Sequence, residues 1–337
     1  MAQGRKQRVT LRQIAEETGY AVITVSKALR GERDIAEATK RAIREKAREM
    51  GYVQNAAASM LRTGRSMLIA ASVVDITNPY WSIFCRSIES LAFEKGYTAM
   101  FMNVDSRSER ERRAVNAMIQ RGVDGVLIDP SADCEKNLRL LQNVGIPFVL
   151  VGCPNQTFHY DAVWFDNEQS GYLIGRRLMQ RGCKKILYMD IPDPYPIYSD
   201  RETGLRRALA EAGFPQDRVV ACRMLSGQGA PVPMMQEIFQ RHPDIDAIFA
   251  FNDFSALQLL STLRKLGKRV PEDVAVISVD NIQRFLEMDT RLTSVDASPK
   301  TRAEAAFDLL IRRIEGDYSD YPRLITLPVF LHEGETC

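Results

Sequence analysis

The sequence predicts an α/β protein in two parts: a small helical head at the N-terminus and a large body made of two doubly wound parallel sheets. Three observations support this fold class. Two short helical patterns are separated by a glycine within residues 10–31. From Met67 onward, apolar runs alternate with amphipathic helical stretches, which is typical of parallel sheets covered on both faces. The 337 residues provide enough chain for a head and more than one larger sheet.

Residues 10–31 predict a helix-turn-helix. Thr10 caps the first helix, and Gln13 reaches back to it as in a capping box. Gly19 supplies the permissive backbone of the turn. The residues expected to form the buried faces are Leu11, Ile14, Ala15, Val25, Ala28 and Leu29. The residues expected to face outward on the second helix are Val22, Ile23, Thr24, Ser26 and Lys27. Taken alone, this stretch is also compatible with a helical hairpin that has no nucleic-acid role.

The charge of the chain is unevenly distributed. Residues 1–65 contain 14 lysines and arginines and 7 acidic residues, a net charge of +7, whereas the whole chain carries +2. The remaining residues therefore sum to −5. A basic segment that coincides with a helix-turn-helix favours a head that binds a polyanion.

A third helix and a linker complete the predicted head. The helix is expected at Ala38–Met50, where Gly51 ends it. Its predicted apolar stripe is Ala42, Ile43, Ala47 and Met50. Residues 55–62 are small and helix-prone, and residues 63–66 are typical of a linker. We therefore place the head at residues 1–65 and the body at residues 66–337.

The body is predicted from strands and helices that alternate. The strands are expected at Leu68–Val74, Thr98–Asn103, Gly125–Ile128, Phe148–Val151, Val163–Phe165, Ile186–Met189, Val219–Cys222, Ala247–Phe251 and Val274–Val279, with a further strand-like stretch at Leu324–Leu331. The intervening helices include Trp81–Lys95, Glu109–Gln120, Ser170–Gln180, Glu202–Ala212, Phe254–Leu266 and Thr301–Ile314. Since this is long for one sheet, we expect two subdomains.

Several predicted strands end in loops that mix aromatic and polar residues. Examples are Asp75–Trp81, Phe251–Phe254 and Val279–Ile282. Ligands of open α/β sheets bind beyond the carboxyl ends of the strands. Aromatic rings suit the apolar faces of a sugar, and Asp, Asn and Arg suit its hydroxyls. The alternative is that Asn78, Asn252 and Asp253 are only helix caps.

Composition argues against several other classes of protein. No apolar run is long enough to span a bilayer, and the basic N-terminus is followed by an amphipathic helix rather than a signal-peptide core. The six cysteines are scattered, and the three histidines do not adjoin a cysteine or carboxylate in a ligand-like pattern. We therefore expect reduced thiols, a cytoplasmic location, and neither a metal site nor a cofactor.

The chain resembles the LacI/GalR family of bacterial transcription regulators over nearly its whole length. In the head, the resemblance rests on Thr10-Leu-Arg-Gln-Ile-Ala15, Thr24-Val-Ser26, Gly51-Tyr52 and Asn55-Ala-Ala. In the body, it rests on Asp75-Ile-Thr-Asn-Pro79, Gly122-Val-Asp-Gly125, Asp166-Asn167, Asn252-Asp253, Val270-Pro-Glu-Asp-Val274 and Asp280-Asn281. Each motif is weak alone, but their order and spacing are specific. The resemblance implies a periplasmic-binding-protein-like body and a sequence-specific DNA-binding regulator, usually a repressor, under the control of a small-molecule effector.

For the head, the resemblance implies a homodimer on a pseudo-palindromic double-stranded operator. The second helix would lie in a major groove, with Val22 and Ile23 reading bases by apolar contact. Residues 55–62 resemble the family's hinge helix, and Leu61 occupies the position that wedges between base pairs. The implied DNA-contacting residues are Thr10, Val22, Ile23, Thr24, Ser26, Lys27, Asn55, Ala58 and Leu61. Ala21 and Ala36 stand where the family usually has capping residues, and Lys27 replaces the commoner Arg, which puts the operator sequence in doubt.

For the body, the resemblance implies an effector site between the two subdomains and a carbohydrate as the effector. The implied binding residues are Tyr80, Trp81, Asp129, Ser131, Arg201, Asn252 and Asp280. An aromatic residue common in sugar-binding members is missing after Cys222–Met224, where Tyr195 or Tyr198 could substitute. The expected N-subdomain comprises about residues 66–165 and 293–322, and the C-subdomain about residues 166–292 and 323–337.

The sequence disfavours two other functions. A sugar-binding module without a DNA function is disfavoured by the basic head and by the lack of a signal peptide. An enzyme is disfavoured because the sequence contains no Gly-rich phosphate loop, nucleophile elbow or Cys-His pairing. No tetramerising heptad pattern follows the body, so a dimer is expected rather than a tetramer.

Overall fold

A computed structural model describes residues 9–53, 60, 64–131, 134–152, 159–190, 196–223, 230–287 and 289–337, with only the backbone described at 196–199 and 223. The chain divides into two compact units, Met1–Ser66 and Met67–Cys337. This division lies one residue from the boundary expected between head and body. No helix within the described ranges is long and apolar enough to cross a membrane.

The head contains three helices, which are α1 (Leu11–Thr18), α2 (Val22–Arg30) and α3 (Glu37–Glu49). The backbone N–H of Thr10 donates to Gln13 Oε1 at 2.9 Å, and the N–H of Gln13 donates to Thr10 Oγ1 at 3.3 Å, so the capping box is present. Gly19 ends α1 in the left-handed region at φ 72°. Ile14, Val25 and Ile43 are fully buried between the helices. The helix-turn-helix is therefore confirmed.

One position predicted for the apolar stripe of α3 is wrong. Ala42 is exposed, whereas Lys40, three residues before the buried Ile43, is buried. The Lys40 ammonium lies 2.8 Å from Glu37 Oε1 on the preceding turn. Because a lysine stem is apolar, Lys40 takes a buried position while its charge reaches an exposed carboxylate.

The body alternates strands and helices. Its helices are α4 (Pro79–Glu94), α5 (Ser108–Gln120), α6 (Glu135–Asn143), α7 (Asn167–Arg181), α8 (Pro196–Glu211), α9 (Val232–Arg241), α10 (Asp253–Lys265) and α11 (Pro299–Ile314). Its strands are β1 (Leu68–Val73), β2 (Thr98–Asn103), β3 (Gly125–Ile128), β4 (Phe148–Leu150), β5 (Ala162–Phe165), β6 (Ile186–Asp190), β7 (Val219–Arg223), β8 (Ala247–Phe249), β9 (Ala275–Asp280), β10 (Thr293–Asp296), β11 (Leu324–Leu327) and β12 (Phe330–His332). Short 3₁₀ turns cover Gln216–Arg218 and Ile282–Arg284.

The strands form two six-stranded sheets. The first has the order β11-β5-β4-β3-β1-β2 and the second the order β12-β10-β9-β8-β6-β7. Every pairing is parallel except that between β10 and β12. The expected fold of two doubly wound parallel sheets is confirmed, with one antiparallel edge strand added. One buried cluster contains apolar side chains from both sheets, including Ile69 of β1 and Phe249 of β8.

The predicted segment limits of the two subdomains are wrong at two places. Residues 293–296 were assigned to the N-subdomain, but β10 pairs with β9 in the second sheet. Residues 324–327 were assigned to the C-subdomain, but β11 pairs with β5 in the first sheet. The strand-like stretch Leu324–Leu331 is thus two strands in two sheets. Pro328 lies between them, and because proline has no backbone N–H it is a poor member of a continuous strand.

Candidate effector cleft and DNA-reading helix

Tyr80 and Trp81 lie in the first turn of α4, directly beyond the end of β1. The Asn78 side chain caps this helix by accepting from the Tyr80 N–H at 3.0 Å, so the cap interpretation of Asn78 is correct. Both aromatic side chains are buried and meet edge to face, with ring centroids 5.3 Å apart. The buried hydroxyl of Tyr80 has no hydrogen-bond partner among the described residues. Burial raises the pKa of this phenol.

Arg201 on α8 is held by groups at the start of α7 and in the loop after β8. Its Nε donates to Asn167 Oδ1 at 2.9 Å, and its Nη1 donates to the Phe251 carbonyl at 2.7 Å. Its guanidinium also lies 5.3 Å from the centroid of the Phe251 ring. Two glycines allow this placement because α7 and α8 touch backbone to backbone. A Cβ at Gly171 would lie 1.9 Å from the Arg201 carbonyl oxygen, and one at Gly204 would lie 1.8 Å from that of Glu168.

Asp280 ends β9 in a backbone conformation that side chains rarely adopt. Its φ is 121°, and that of Asn281 is 53°. The Asp280 carboxylate is buried. Burial raises its pKa well above the usual value, the neighbouring Asp253 carboxylate adds to this, and Arg201 and Arg302 oppose it.

Asp253, at the start of α10, organises the loop that carries Asp280. Its carboxylate accepts from the Ser294 hydroxyl at 2.6 Å and from the backbone N–H of Ile282 at 2.9 Å, and it also accepts from the Ser278 hydroxyl. Asp253 is fully buried, and burial raises its pKa to about 6. The adjacent Asn252 caps α10 by accepting from the Ser255 N–H at 2.8 Å. Asp253 thus accepts hydrogen bonds that hold the loop after β9, whereas Asn252 caps α10.

Asp129 and Ser131 follow β3, on the first sheet's side. The Asp129 carboxylate packs against Gly152, where a Cβ would come within 2.5 Å of Oδ1. Ser131 is buried, its backbone N–H donates to Glu111 on α5, and its hydroxyl has no partner among the described residues. Glu111 also accepts from Asn137 Nδ2 at 2.7 Å, so it ties this loop to α5 and α6.

Four of the predicted effector residues share one electrostatic neighbourhood. The charges of Asp129, Arg201 and Asp280 all act on the Tyr80 hydroxyl. Trp81 joins them through its contact with Tyr80, and Asn252 is next to the Phe251 carbonyl that holds Arg201. Sequence reasoning missed Asn167, which holds Arg201, and Arg302, whose charge also acts on Tyr80.

Arg302 lies on α11 and is 7% exposed. Its Nη1 donates to the Val151 carbonyl at 2.9 Å, and its guanidinium lies 4.7 Å from the Phe165 ring centroid and 5.4 Å from that of Tyr80. A signal for it was present in the sequence. Arg302 and Arg313 are separated by three helical turns and share a face of α11 with the buried Ala306 and Leu309.

On the head, α2 presents two large apolar residues to solvent: Val22 is 45% exposed and Ile23 is 67% exposed. Ala21 makes no side-chain cap to this helix. The Lys27 ammonium pairs with Asp34, whose carboxylate raises the Lys27 pKa. Ser26 accepts a hydrogen bond from Arg30. The predicted DNA contacts Asn55, Ala58 and Leu61, and the aromatic substitutes Tyr195 and Tyr198, lie outside the described residues or side chains.

Comparison with known proteins agrees with this architecture. The family described as periplasmic binding proteins and sugar binding domain of LacI family matches residues 66–333. The chain is 29% identical to the HTH-type transcriptional repressor PurR of Vibrio atlanticus over 308 residues, which is 91% of this chain and 92% of that protein. It is 29% identical to the HTH-type transcriptional regulator CelR of Thermobifida fusca over 95% of this chain and 96% of that protein. A ribose-bound LacI family regulator from Enterococcus faecium has a TM-score of 0.72 at 26% identity, covering 80% of this chain and 98% of that one.

A helix-turn-helix head and a two-sheet body with buried polar side chains at its strand ends define the class of effector-controlled DNA-binding transcription regulators. The chain belongs to the LacI family. Its relatives match the head as well as the body and are named as regulators, so this chain is a regulator and not an enzyme or a binding module alone.

Proposed function

We propose that this protein is a homodimeric repressor that acts in the cytoplasm, binds a pseudo-palindromic operator, and releases it when a carbohydrate occupies the cleft. The observation that carries the proposal is the convergence of Tyr80, Asp129, Arg201 and Asp280 in the body of a chain whose head exposes an apolar reading helix. The effector class follows from this mixture of aromatic and charged groups and from the ribose bound by the Enterococcus faecium relative.

In the head, α2 would read the major groove. Val22 and Ile23 can contact thymine methyl groups but cannot donate hydrogen bonds, so apolar contact would select A·T pairs at two positions. Thr24, Ser26 and Lys27 would contact bases or phosphates, with Thr10 adding a contact at the start of α1. Lys27 would exchange its partner Asp34 for a phosphate. The hinge residues Asn55, Ala58 and Leu61 would enter the minor groove.

In the body, the effector would lie between the two sheets. Tyr80 and Trp81 would border its apolar faces, while Arg201, Asn252 and Asp280 would bind hydroxyls from one side and Asp129 and Ser131 from the other. A ligand that contacts both sheets favours one packing of the subdomains over another. Two sites coupled in this way change each other's affinity by a common factor.

The experiment is a titration of DNA from upstream of the protein's own gene with the full chain, followed by fluorescence anisotropy at several salt concentrations. We expect saturable binding to a palindromic segment and an affinity that falls linearly with salt on logarithmic axes. A chain lacking residues 1–65 is the matched control and should lose DNA binding while retaining thermal stabilisation by a sugar. Equal affinity of both chains for this DNA would contradict the proposal.

The switch is tested by a second pair of chains. Arg201→Met should bind the operator as the wild type does but fail to release it when the wild-type effector is added. Arg241→Met is the control, since Arg241 is an exposed arginine on α9 that pairs with Glu237 on its own helix. Normal release by Arg201→Met would remove Arg201 from the effector site.

A further inference from the structure

The candidate effector site includes two buried arginines, Arg201 and Arg302. Within the described residues, neither Arg201 nor Arg302 has a carboxylate oxygen at ion-pair distance. The buried Arg313, on the same helix as Arg302, differs. Its Nε lies 2.7 Å from Asp161 Oδ2 and its Nη2 lies 2.9 Å from Asp320 Oδ1. Since a buried charge is costly unless it is paired, the cleft arginines need a counter-charge that Arg313 already has.

The known contacts of Arg302 are with neutral groups. They are the Val151 carbonyl and the faces of the Phe165 and Tyr80 rings. Its Nε is buried and has no partner among the described residues, and the same is true of the buried hydroxyl of Tyr80. Two side chains in contact through the Tyr80 ring therefore each keep one unsatisfied polar group in the part of the body where the effector is proposed to bind.

Arg201 is held in a similar way, by the Asn167 side-chain oxygen, the Phe251 carbonyl and the Phe251 ring. Both guanidinium charges act on Asp280, whose carboxylate lies at the end of β9 without forming an ion pair to either within the described residues. The two arginines therefore carry more positive charge than Asp280 alone offsets.

We propose, building on the function proposed above, that the effector is a sugar acid, a uronate or an aldonate, whose carboxylate binds against the guanidinium of Arg302. A guanidinium offers paired donors that match the two oxygens of a carboxylate. The free Nε supplies one of these donors, and the Tyr80 hydroxyl donates to the same group. A single negative charge suits the site better than a phosphate, which would bring about two negative charges toward Asp280.

The test measures the affinity of the full-length protein for matched acids and parent sugars by calorimetry. The probes are D-glucuronate and D-galacturonate against D-glucose and D-galactose, with D-gluconate as the open-chain acid and D-glucose 6-phosphate as the phosphate. We expect at least one acid to bind ten- to a hundredfold more tightly than its neutral parent, the range expected of a hydrogen bond to a charged group. Tighter binding of the phosphate or of the neutral sugars, or binding by none of the probes, would overturn the inference.

Variants of Arg302 test where the carboxylate of the effector binds. Arg302→Met should abolish the preference for the acid over the parent, and Arg302→Lys should restore part of it. Lys300→Met is the matched control, because Lys300 lies two residues away on the exposed side of α11 and its removal tests long-range charge alone. The ratio of the two affinities within one variant is insensitive to a loss of stability. If Arg302→Met lowers the affinities for acid and parent equally, Arg302 is structural and the inference fails.

The two proposals fail separately. A wild type that binds its upstream DNA and releases it with a neutral sugar upholds the repressor function and overturns the sugar acid. If the wild type binds sugar acids through Arg302 but does not bind that DNA, the sugar-acid inference stands and the repressor function fails.

Discussion

The head and the body depart in opposite directions from the usual rule that apolar side chains are buried and charged side chains are exposed. The head places Val22 and Ile23 in solvent on a helix whose other face forms the core, whereas the body buries Arg201, Arg302 and Asp280. Apolar surface left exposed and charges left buried both cost free energy in the isolated protein. Each departure is what the proposed partners would require: base edges for the head and a polar ligand for the body. Departures from the folding rules of this kind are expected at functional sites.

The largest expected effect contrasts the two kinds of buried arginine. Arg313→Met leaves Asp161 buried without its cation and should lower the free energy of unfolding by about 3–5 kcal/mol. Arg302→Met removes one hydrogen bond and two ring contacts and should cost only about 1–2 kcal/mol. Urea denaturation of the body measures both. Equal losses would show that Arg302 is as much a structural residue as Arg313.

The buried carboxyl group of Asp253 should make the stability of the protein depend on pH. The pKa of Asp253 is raised to about 6 in the folded state against an ordinary value of 3.8, so the folded state holds a proton that the unfolded state has lost. Its contribution is therefore fully present below pH 4 and is lost as the pH rises through 6, amounting to about 3 kcal/mol.

The comparison is between the wild type and Asp253→Asn, which does not titrate. The difference between their free energies of unfolding should shift against the wild type between pH 4 and pH 7. A difference that stays constant with pH would show that Asp253 titrates in the folded protein as it does in the unfolded chain.

The reading helix should show the opposite behaviour, a loss of function without a loss of stability. Val22→Ala removes two carbons from an exposed side chain and should weaken operator binding about tenfold through the lost apolar contact. The free energy of unfolding should change by less than about 0.5 kcal/mol. Val144→Ala is the matched control, since Val144 is 46% exposed against 45% for Val22 and lies in the body. If the two variants bind the operator alike, α2 does not read bases at Val22.

The smallest effect concerns the ion pair on the reading helix. Asp34→Asn removes the partner of Lys27, so the ammonium is available to a phosphate without a competing carboxylate. Operator affinity should rise a few-fold at low salt, and the gain should shrink as salt increases, because both exposed charges are screened. Asp244→Asn, which removes the partner of Lys185 in the body, is the control. A fall in affinity would mean that Asp34 holds Lys27 in its binding position.

Local signals explain why so much of the fold was predictable. The capping box at Thr10, the left-handed Gly19 and the spacing of Ile14 and Val25 act over a few residues, and each was found as expected. The alternation of apolar runs and amphipathic helices was equally local. The polar residues that follow β1, β8 and β9 were also predicted from local sequence. Whether Asn252 caps a helix or faces a ligand, however, depends on the loop around it.

The sequence by itself determined the helix-turn-helix, the order of most strands and helices though not β10, the split in charge, and the residues that end the predicted strands. All of these follow from propensity and periodicity within single elements. Only the tertiary structure decided that β10 and β11 exchange sheets, because sheet membership depends on pairing between distant segments. It also decided the difference between Arg302 and Arg313, which share one face of one helix. Asp161 and Asp320 meet Arg313, while aromatic rings and a carbonyl meet Arg302. Whether a buried charge is satisfied depends on what the fold brings to it.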